Sequence, residues 1–386
     1  MEPETAKKLK IVYVTPALYM AGGVERVLTL KANYFAENFD YDITIILTEG
    51  KDKPLFYPLS EKIKVVNLNI VFEELWTCSF LKKIFVYLKK QRQFKKLLTN
   101  ELMRLHPDIT VSLLRREINF FNDIKDGSRK IGELHVNRAN YRNFEANDSN
   151  FIKNLFAKFW MHSLVLKLKQ LDRFVVLTEE DKSAWPELHN ICVIPDPLSF
   201  IPTQQSPLTE KRVIAVGRYV YQKGFDLLLQ AWARIEKQYP DWQLAIYGDG
   251  NRTPYEQQMK DLGIDGTRCH LNGPTADIQQ EYVNSSLFVF SSRFEGFGMV
   301  LVEAMACGLP VISFACPCGP KDIIKDGKNG FLVDNENVEE MAKSMCRLIC
   351  DDSLRQSISQ IARKSIMRFG ISQIGEQWKK LFEVIM

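Results

Sequence analysis

Two doubly wound α/β domains, each built on a parallel sheet, are what this chain predicts, and three observations predict them. The first is length: 386 residues exceed one ordinary core and suit two domains of roughly 150–200 residues each. The second is rhythm. Short continuous runs of β-branched and aromatic residues alternate with amphipathic stretches, the pattern of strands buried on both faces and joined by crossover helices. The third is a proline-rich interruption near mid-chain, from Ile194-Pro195-Asp196-Pro197 through Pro202 to Pro207, which no regular element tolerates.

In chain order, the first half predicts strands over Lys10–Thr15, Asp42–Leu47, Lys64–Asn67, Ile109–Leu113 and Phe174–Leu177. The second half repeats the plan over Arg212–Val216, Gln243–Tyr247, Leu287–Phe290 and Val311–Phe314. Amphipathic segments over Phe80–Leu105 and Phe225–Gln238 supply helices between them. A last helix is expected over Ser372–Met386, with Trp378, Leu381, Phe382 and Ile385 at helical spacing. The domain plan is therefore residues 1–195, a linker at 196–210, residues 211–370, and a terminal helix at 371–386 free to pack on either domain. Two such sheets facing each other are expected to leave a cleft, with ligands beyond the carboxyl ends of the strands. No repeat or low-complexity tract is visible.

Composition narrows the function classes. Hydrophobic residues make up 46% and charged residues 25%, a globular balance and not a disordered one. Apolar stretches such as Phe159–Leu166 fall well short of the ~20 residues of a spanning helix, and the charged segment before Ile11 has no apolar leader, so a cytoplasmic protein is expected. The eight cysteines are scattered, the close pairs being Cys316/Cys318 and Cys346/Cys350, and nothing completes a zinc pattern. Residues 1–195 carry 30 Lys and Arg against 24 Asp and Glu, whereas the rest carries 21 against 23. The first half alone therefore invites an acidic partner. No nucleic-acid motif accompanies that modest charge.

The chemistry concentrates in loops after strands. Behind Val213–Val216 come Gly217-Arg218 and then Lys223-Gly224 before a helix. A Gly turn and two cations at a helix entrance suit a diphosphate, Arg218 through bidentate contacts and Lys223 as a point charge, although a solvated basic loop would read the same way. Behind Leu287–Phe290 lies Ser291-Ser292-Arg293-Phe294-Glu295-Gly296-Phe297-Gly298, then the helical stretch Met299–Ala306 and the stop Cys307-Gly308-Leu309-Pro310. Gly296 and Gly298 permit close approach to a ligand, and the helix start offers free N–H groups to phosphate. Glu303 follows Gly298 by five residues, about 7–8 Å along a helix, near the span from a phosphate to its ribose. A carboxylate there can accept two ribose hydroxyls.

The run from Glu295 to Pro310 resembles the Glu-x7-Glu motif of retaining GT-B glycosyltransferases of family 4. Cys316-Pro-Cys-Gly-Pro320 and Asp326-Gly-Lys-Asn-Gly-Phe331 are similar to bacterial members that build capsule, exopolysaccharide or lipopolysaccharide. Gly217-Arg218 and Lys223-Gly224 match the family's diphosphate pair. The resemblance is strong over about 212–333 and weaker before it. It implies a GT-B pair of facing Rossmann-like domains and retaining transfer of a hexose or amino-hexose from a UDP- or GDP-sugar to a growing glycan. Arg218 and Lys223 would hold the leaving diphosphate, Glu303 the ribose, and Glu295 a hydroxyl of the donor sugar. Backbone N–H groups at Phe297, Gly298 and Met299 would bind phosphate.

On the first-half side, Ala21-Gly22-Gly23 is no dinucleotide fingerprint, yet it resembles the family's N-terminal Gly-Gly loop, which would face phosphate or acceptor. An ordinary strand-to-helix turn would look alike. His135, in Gly132-Glu133-Leu134-His135-Val136-Asn137, is similar in position to the family's active-site His near the donor sugar. No Asp-x-Asp follows a strand, so neither a catalytic metal nor a cofactor is expected. Residues 82–104 hold eight Lys and Arg against one acid. Such a basic amphipathic helix suits either a core face with a solvated back or the anionic inner face of the cytoplasmic membrane, where a lipid-linked acceptor would lie. Rival functions are a GT-B nucleotide-sugar epimerase or phosphorylase, and a non-catalytic nucleotide-sugar-binding assembly partner.

Overall fold

The structure is a computed structural model that describes residues 8–77, 79–143 and 151–386; most of the charged N-terminal segment, 1–7, lies outside the described residues. The chain divides into two compact units. Unit 1 comprises the chain to Leu177, Asp181–Pro197 and Ile371–Met386, and unit 2 comprises Thr178–Glu180 and Leu198–Gly370.

Among the described residues, unit 1 holds seven strands: β1 (Lys10–Thr15), β2 (Asp42–Leu47), β3 (Lys64–Asn67), β4 (Ile109–Ser112), β5 (Arg129–Glu133), β6 (Arg173–Val176) and β7 (Ile191–Val193). They form one parallel sheet in the order β3-β2-β1-β4-β5-β6-β7. Unit 2 holds six: β8 (Arg212–Val216), β9 (Gln243–Tyr247), β10 (Cys269–Asn272), β11 (Leu287–Phe290), β12 (Val311–Phe314) and β13 (Phe331–Val333), in the order β10-β9-β8-β11-β12-β13. In both sheets the order reverses beside the first strand, at β1/β4 and at β8/β11. Open α/β sheets place their ligands beyond the carboxyl ends of the strands at such a reversal.

The strands run parallel because helices connect them, and the helices bury both faces. On one face of the first sheet, Val12, Val14 and Ile46 pack with Phe94, Leu98 and Leu102 of the helix Phe80–Leu105. In unit 2, Val213, Ala215, Leu244 and Ile246 pack with Leu228 and Trp232 and with Met341 and Met345 from two helices. The two-domain parallel architecture is thus as expected, and most strands rich in Val and Ile fall where the sequence places them.

Four strands escaped the pattern. β5 reads Arg-Lys-Ile-Gly-Glu, and only the stub Lys130–Ile131 was legible, because Lys130 and Glu133 are buried by pairing and not by apolarity. β7 and β13 have three residues each, and β10 reads Cys-His-Leu-Asn at a sheet edge. The helix expected to reach Gln238 ends at Ile235.

The proline-rich stretch is docked, not loose. The chain passes between units at Pro197 and Leu198. Beyond it the Leu198 N–H donates to the Phe369 carbonyl at 2.7 Å and the Ser206 N–H to that of Cys307 at 2.8 Å. The Ser206 hydroxyl also reaches the Ser285 carbonyl at 2.5 Å.

The terminal helix Ile371–Ile385 belongs to unit 1, where it packs on the first helix, Gly23–Asn38. Phe382 meets Phe35 edge-on at 5.8 Å, and the buried Trp378 ring lies 4.3 Å from the Lys31 ammonium. Truncating so large a buried side chain should cost ~3–5 kcal/mol. Trp378→Ala is therefore expected to lower the urea midpoint followed by circular dichroism, and a loss under about 1 kcal/mol, the size of an ordinary surface change, would contradict this packing.

Candidate functional site

At the reversal point of unit 2, two loops are stitched together. The first leaves β8 through Gly217 and Arg218, makes a single 3-10 turn at Tyr221–Lys223 and enters the helix Phe225–Ile235. The second runs from Ser291 to Gly298 behind β11. The Arg293 N–H donates to the Gln222 carbonyl at 2.8 Å, and the Ser291 hydroxyl to the Lys223 carbonyl at 2.8 Å. Gln222 Nε2 reaches the Phe294 carbonyl at 3.0 Å. The guanidinium of Arg293 forks onto Asp226 at 2.8 and 2.7 Å, donates to the Tyr221 carbonyl at 2.9 Å and lies 4.1 Å from the Tyr221 ring centre.

Gly224 closes the first loop at φ +60°, where a β-carbon would also strike the Ser291 carbonyl oxygen, so two constraints demand glycine there.

This stitching delivers Lys223 to Glu295. Their Nζ and Oε1 lie 2.6 Å apart, with the side chains 15% and 8% exposed. Gln222 Nε2 approaches the other carboxylate oxygen at 3.4 Å. Arg218 is exposed at the carboxyl end of β8, on the same loop. Glu303 is buried in the helix Met299–Ala306, where its carboxylate accepts from the Ser199 hydroxyl and, at 3.3 Å, from Tyr282. Gly298, with φ +101°, precedes the first helical residue, and within the first turn the Leu301 N–H turns back to the Gly298 carbonyl at 2.9 Å. Met299 opens that turn half-buried. Phe297 is buried edge-on against Phe369 at 5.2 Å, which leaves only its backbone for a ligand.

The structure therefore joins Lys223 directly to Glu295, sets Arg218 on the same loop, and gives Glu303 separate partners. Arg293, Ser199 and Tyr282 were missed by sequence reasoning. Arg293 and Asp226 are 67 residues apart, and only the β8/β11 adjacency brings them together.

In unit 1, Gly22 caps the helix Gly23–Asn38 just beyond β1, with the Arg26 N–H donating to its carbonyl at 3.1 Å. His135 lies two residues beyond β5 in a buried chain of charges. Nε2 is 3.2 Å from Glu133 and Nδ1 is 3.3 Å from Asp196, and Glu133 also bonds Lys31. Burial alone would discharge the imidazole, but Asp196 and Glu133 outweigh it and raise its pKa to about 9. Burial likewise opposes ionisation of Glu133, yet Lys31 and His135 bring it down to about 2. Glu133 and Asp196 were not singled out from sequence. Residues two apart at a strand end share a side, which links Glu133 to His135, but nothing local pointed to Asp196.

Among the described residues, Glu133, His135 and Asp196 also form the one group spaced to hold a metal, within 4.8 Å of one another. The donor set argues otherwise. The Lys31 ammonium already occupies Glu133, so a cation stands where an ion would bind, and the two carboxylates approach different ring nitrogens.

Among the described residues no helix is long and apolar enough to cross a membrane. The basic helix Phe80–Leu105 is divided along its length. Phe94, Leu98 and Leu102 are core, whereas Phe85 is 72% exposed and Ile84 and Leu88 are half-exposed among Lys82, Lys83, Lys89 and Arg92.

Residues 199–365 match the model of the family "Glycosyl transferases group 1". An uncharacterized glycosyltransferase of Haemophilus influenzae is 31% identical over 368 residues, covering 93% of this chain and 96% of that protein. A Campylobacter jejuni protein is 26% identical over 97% of this chain and 98% of its own length; it is named "GalNAc-alpha-(1->4)-GalNAc-alpha-(1->3)-diNAcBac-PP-undecaprenol alpha-1,4-N-acetyl-D-galactosaminyltransferase". Among solved structures, a mutant of S. aureus TarM in complex with fondaparinux, alpha-GlcNAc-glycerol and UDP superposes with a TM-score of 0.74 at 18% identity, covering 97% of this chain and 99% of that one. Kinship along nearly the whole chain, on two Rossmann-like parallel sheets of the GT-B kind, makes this protein a member of the glycosyl transferases group 1 family.

Proposed function

We propose that this glycosyltransferase moves a hexose or amino-hexose from a UDP- or GDP-sugar to a growing bacterial surface glycan, with retention and without a metal. The observation that carries the reading is the Lys223–Glu295 pair, held at 2.6 Å beside a helix entrance. One half of the pair suits a phosphate and the other a sugar hydroxyl, so a sugar diphosphate satisfies both. Lys223 and Arg218 neutralise the departing diphosphate, and the helix start at Phe297–Met299 adds backbone donors. Glu295 binds the donor sugar. Glu303, its carboxylate oriented by Ser199 and Tyr282, takes the ribose. In unit 1, His135 meets the sugar and the Gly22-Gly23 loop serves phosphate or acceptor. Retention follows from attack on the face that the diphosphate leaves, its charge balancing an oxocarbenium-like centre.

The UDP in the TarM complex supports a uridine donor, and the undecaprenol-linked diphosphate in the name of the Campylobacter relative supports a lipid-linked acceptor. Such an acceptor draws the protein to the anionic inner face of the membrane, with Ile84, Phe85 and Leu88 entering the lipid and the flanking Lys and Arg meeting headgroups.

Lys223→Ala and Glu295→Ala should each lower kcat/KM by about 100-fold or more, as loss of one preorganised charge does elsewhere. Turnover within a factor of about three of wild type would reject their roles. Glu303→Gln should weaken UDP binding, read as a smaller rise in Tm with UDP than wild type shows; an equal rise would remove the ribose assignment. Phe85→Asp with Leu88→Asp should abolish sedimentation with vesicles containing anionic lipid, and failure of the unmodified protein to pellet counts against membrane docking. Incubation with nucleotide-sugar alone addresses the rival: epimer formed without acceptor would favour an epimerase.

A further inference from the structure

Unit 1 buries four ionisable side chains in a row at the carboxyl end of its sheet. Lys31 is 1% exposed, Glu133 2%, His135 6% and Asp196 7%. Lys31 comes from the first helix, Glu133 and His135 from the end of β5, and Asp196 from the segment after β7. The Trp378 ring covers the Lys31 ammonium, and the buried Tyr13 hydroxyl on β1 lies within the field of Glu133.

A neutral imidazole has one N–H and one lone pair, and an ionised carboxylate offers only lone pairs. The two ring nitrogens lie 3.2 and 3.3 Å from Glu133 and Asp196 without hydrogen-bond alignment, so either neutral tautomer would leave an unprotonated nitrogen beside an acid. Charge counting agrees. With His135 charged, the four groups alternate in sign and sum to zero; with it neutral, the core holds a net negative charge, which burial penalises severely.

We propose that Glu133 and Asp196 are positioning residues that hold His135 as an imidazolium, its two ring nitrogens set against those acids, so that it serves the transfer as a fixed positive charge and not as a general base. The catalytic half of this rests on the function proposed above; the charge state does not. Lys31 has its own part, because it keeps Glu133 ionised while Glu133 serves His135. Across the neutral range, then, the imidazole stays charged between its two acids.

The linkage signs can be worked out. The stability that His135 contributes is fully present below its ordinary 6.5 and is lost as pH rises through about 9. That of Glu133 is present above its ordinary 4.5 and is lost as pH falls through about 2. Stability owed to this cluster should therefore be greatest between those two ordinary values and decline toward alkaline pH.

Two measurements test the proposal on the full chain. In protein labelled with 15N-histidine, His135→Gln assigns the His135 ring resonances by their loss. Both ring nitrogens should carry protons at neutral pH and titrate near 9. A neutral tautomer there, titrating below about 7, would overturn the proposal, and this arm needs no donor or acceptor. In the transfer assay, kcat/KM should stay level from about pH 6 to about pH 8 and fall on the alkaline side, with Asp196→Asn moving that fall down by roughly one unit or more. A profile unmoved by Asp196→Asn, or activity that rises through about pH 6.5 as a base would require, overturns the catalytic half. Should Asp196→Asn not fold, Asp196→Glu replaces it, with restored wild-type pH dependence expected. An absence of transfer with every donor would count against the function proposed above, while the ring resonances still decide the charge of His135.

Discussion

A parallel strand spends both its edges on hydrogen bonds and both its faces on apolar cover, so polar chemistry has nowhere to go until the strand ends. The remaining features follow from this constraint. Leu287–Phe290 is entirely buried, and its first loop residues, Ser291 to Glu295, carry the donors, the guanidinium and the carboxylate. β5 obeys the same rule from unit 1, passing from buried Ile131 to Glu133 and on to His135. Each unit thus carries these side chains at the rim where its strands end.

At such a rim the charges are shielded from water, and a shielded charge must find an opposite one. The protein answers with pairs whose partners arrive from different loops: Lys223 with Glu295, Arg293 with Asp226, Lys31 with Glu133. Arg293 shows how much geometry one such pair sets. It takes an acid from one element, a carbonyl from another and an aromatic face from the same loop, and so fixes the turn that carries Lys223. Strong electrostatics here come from rigidity, since donors already in place need not reorganise when a ligand's charge arrives.

The sequence made legible whatever is encoded locally. Strands rich in Val and Ile, the Gly298 helix entrance and the spacing of Glu295 to Glu303 all depend on neighbours in the chain, and they read correctly as local structure. β10 and β13 did not, because an edge strand of Cys-His-Leu-Asn and one of three residues carry too little pattern. The site was legible in the same measure. Lys223 and Glu295 stood out, whereas Ser199, Tyr282 and Asp196 draw their meaning from partners far along the chain: Ser199 lies 104 residues from Glu303. Asp196 looked like part of a proline-rich connector because its neighbours are prolines; its contact with His135 exists only once β5, β6 and β7 are adjacent.

The return of the last helix to unit 1 has a temporal side. Ile371–Met386 leaves the ribosome after all of Leu198–Gly370 has been made, yet it supplies Trp378 and Phe382 to the core around Lys31. During synthesis the earlier unit must wait, its first helix uncovered along one side, while the later unit can already collapse on its own. Nascent chains stalled before residue 371 would hold a finished second half beside an unfinished first.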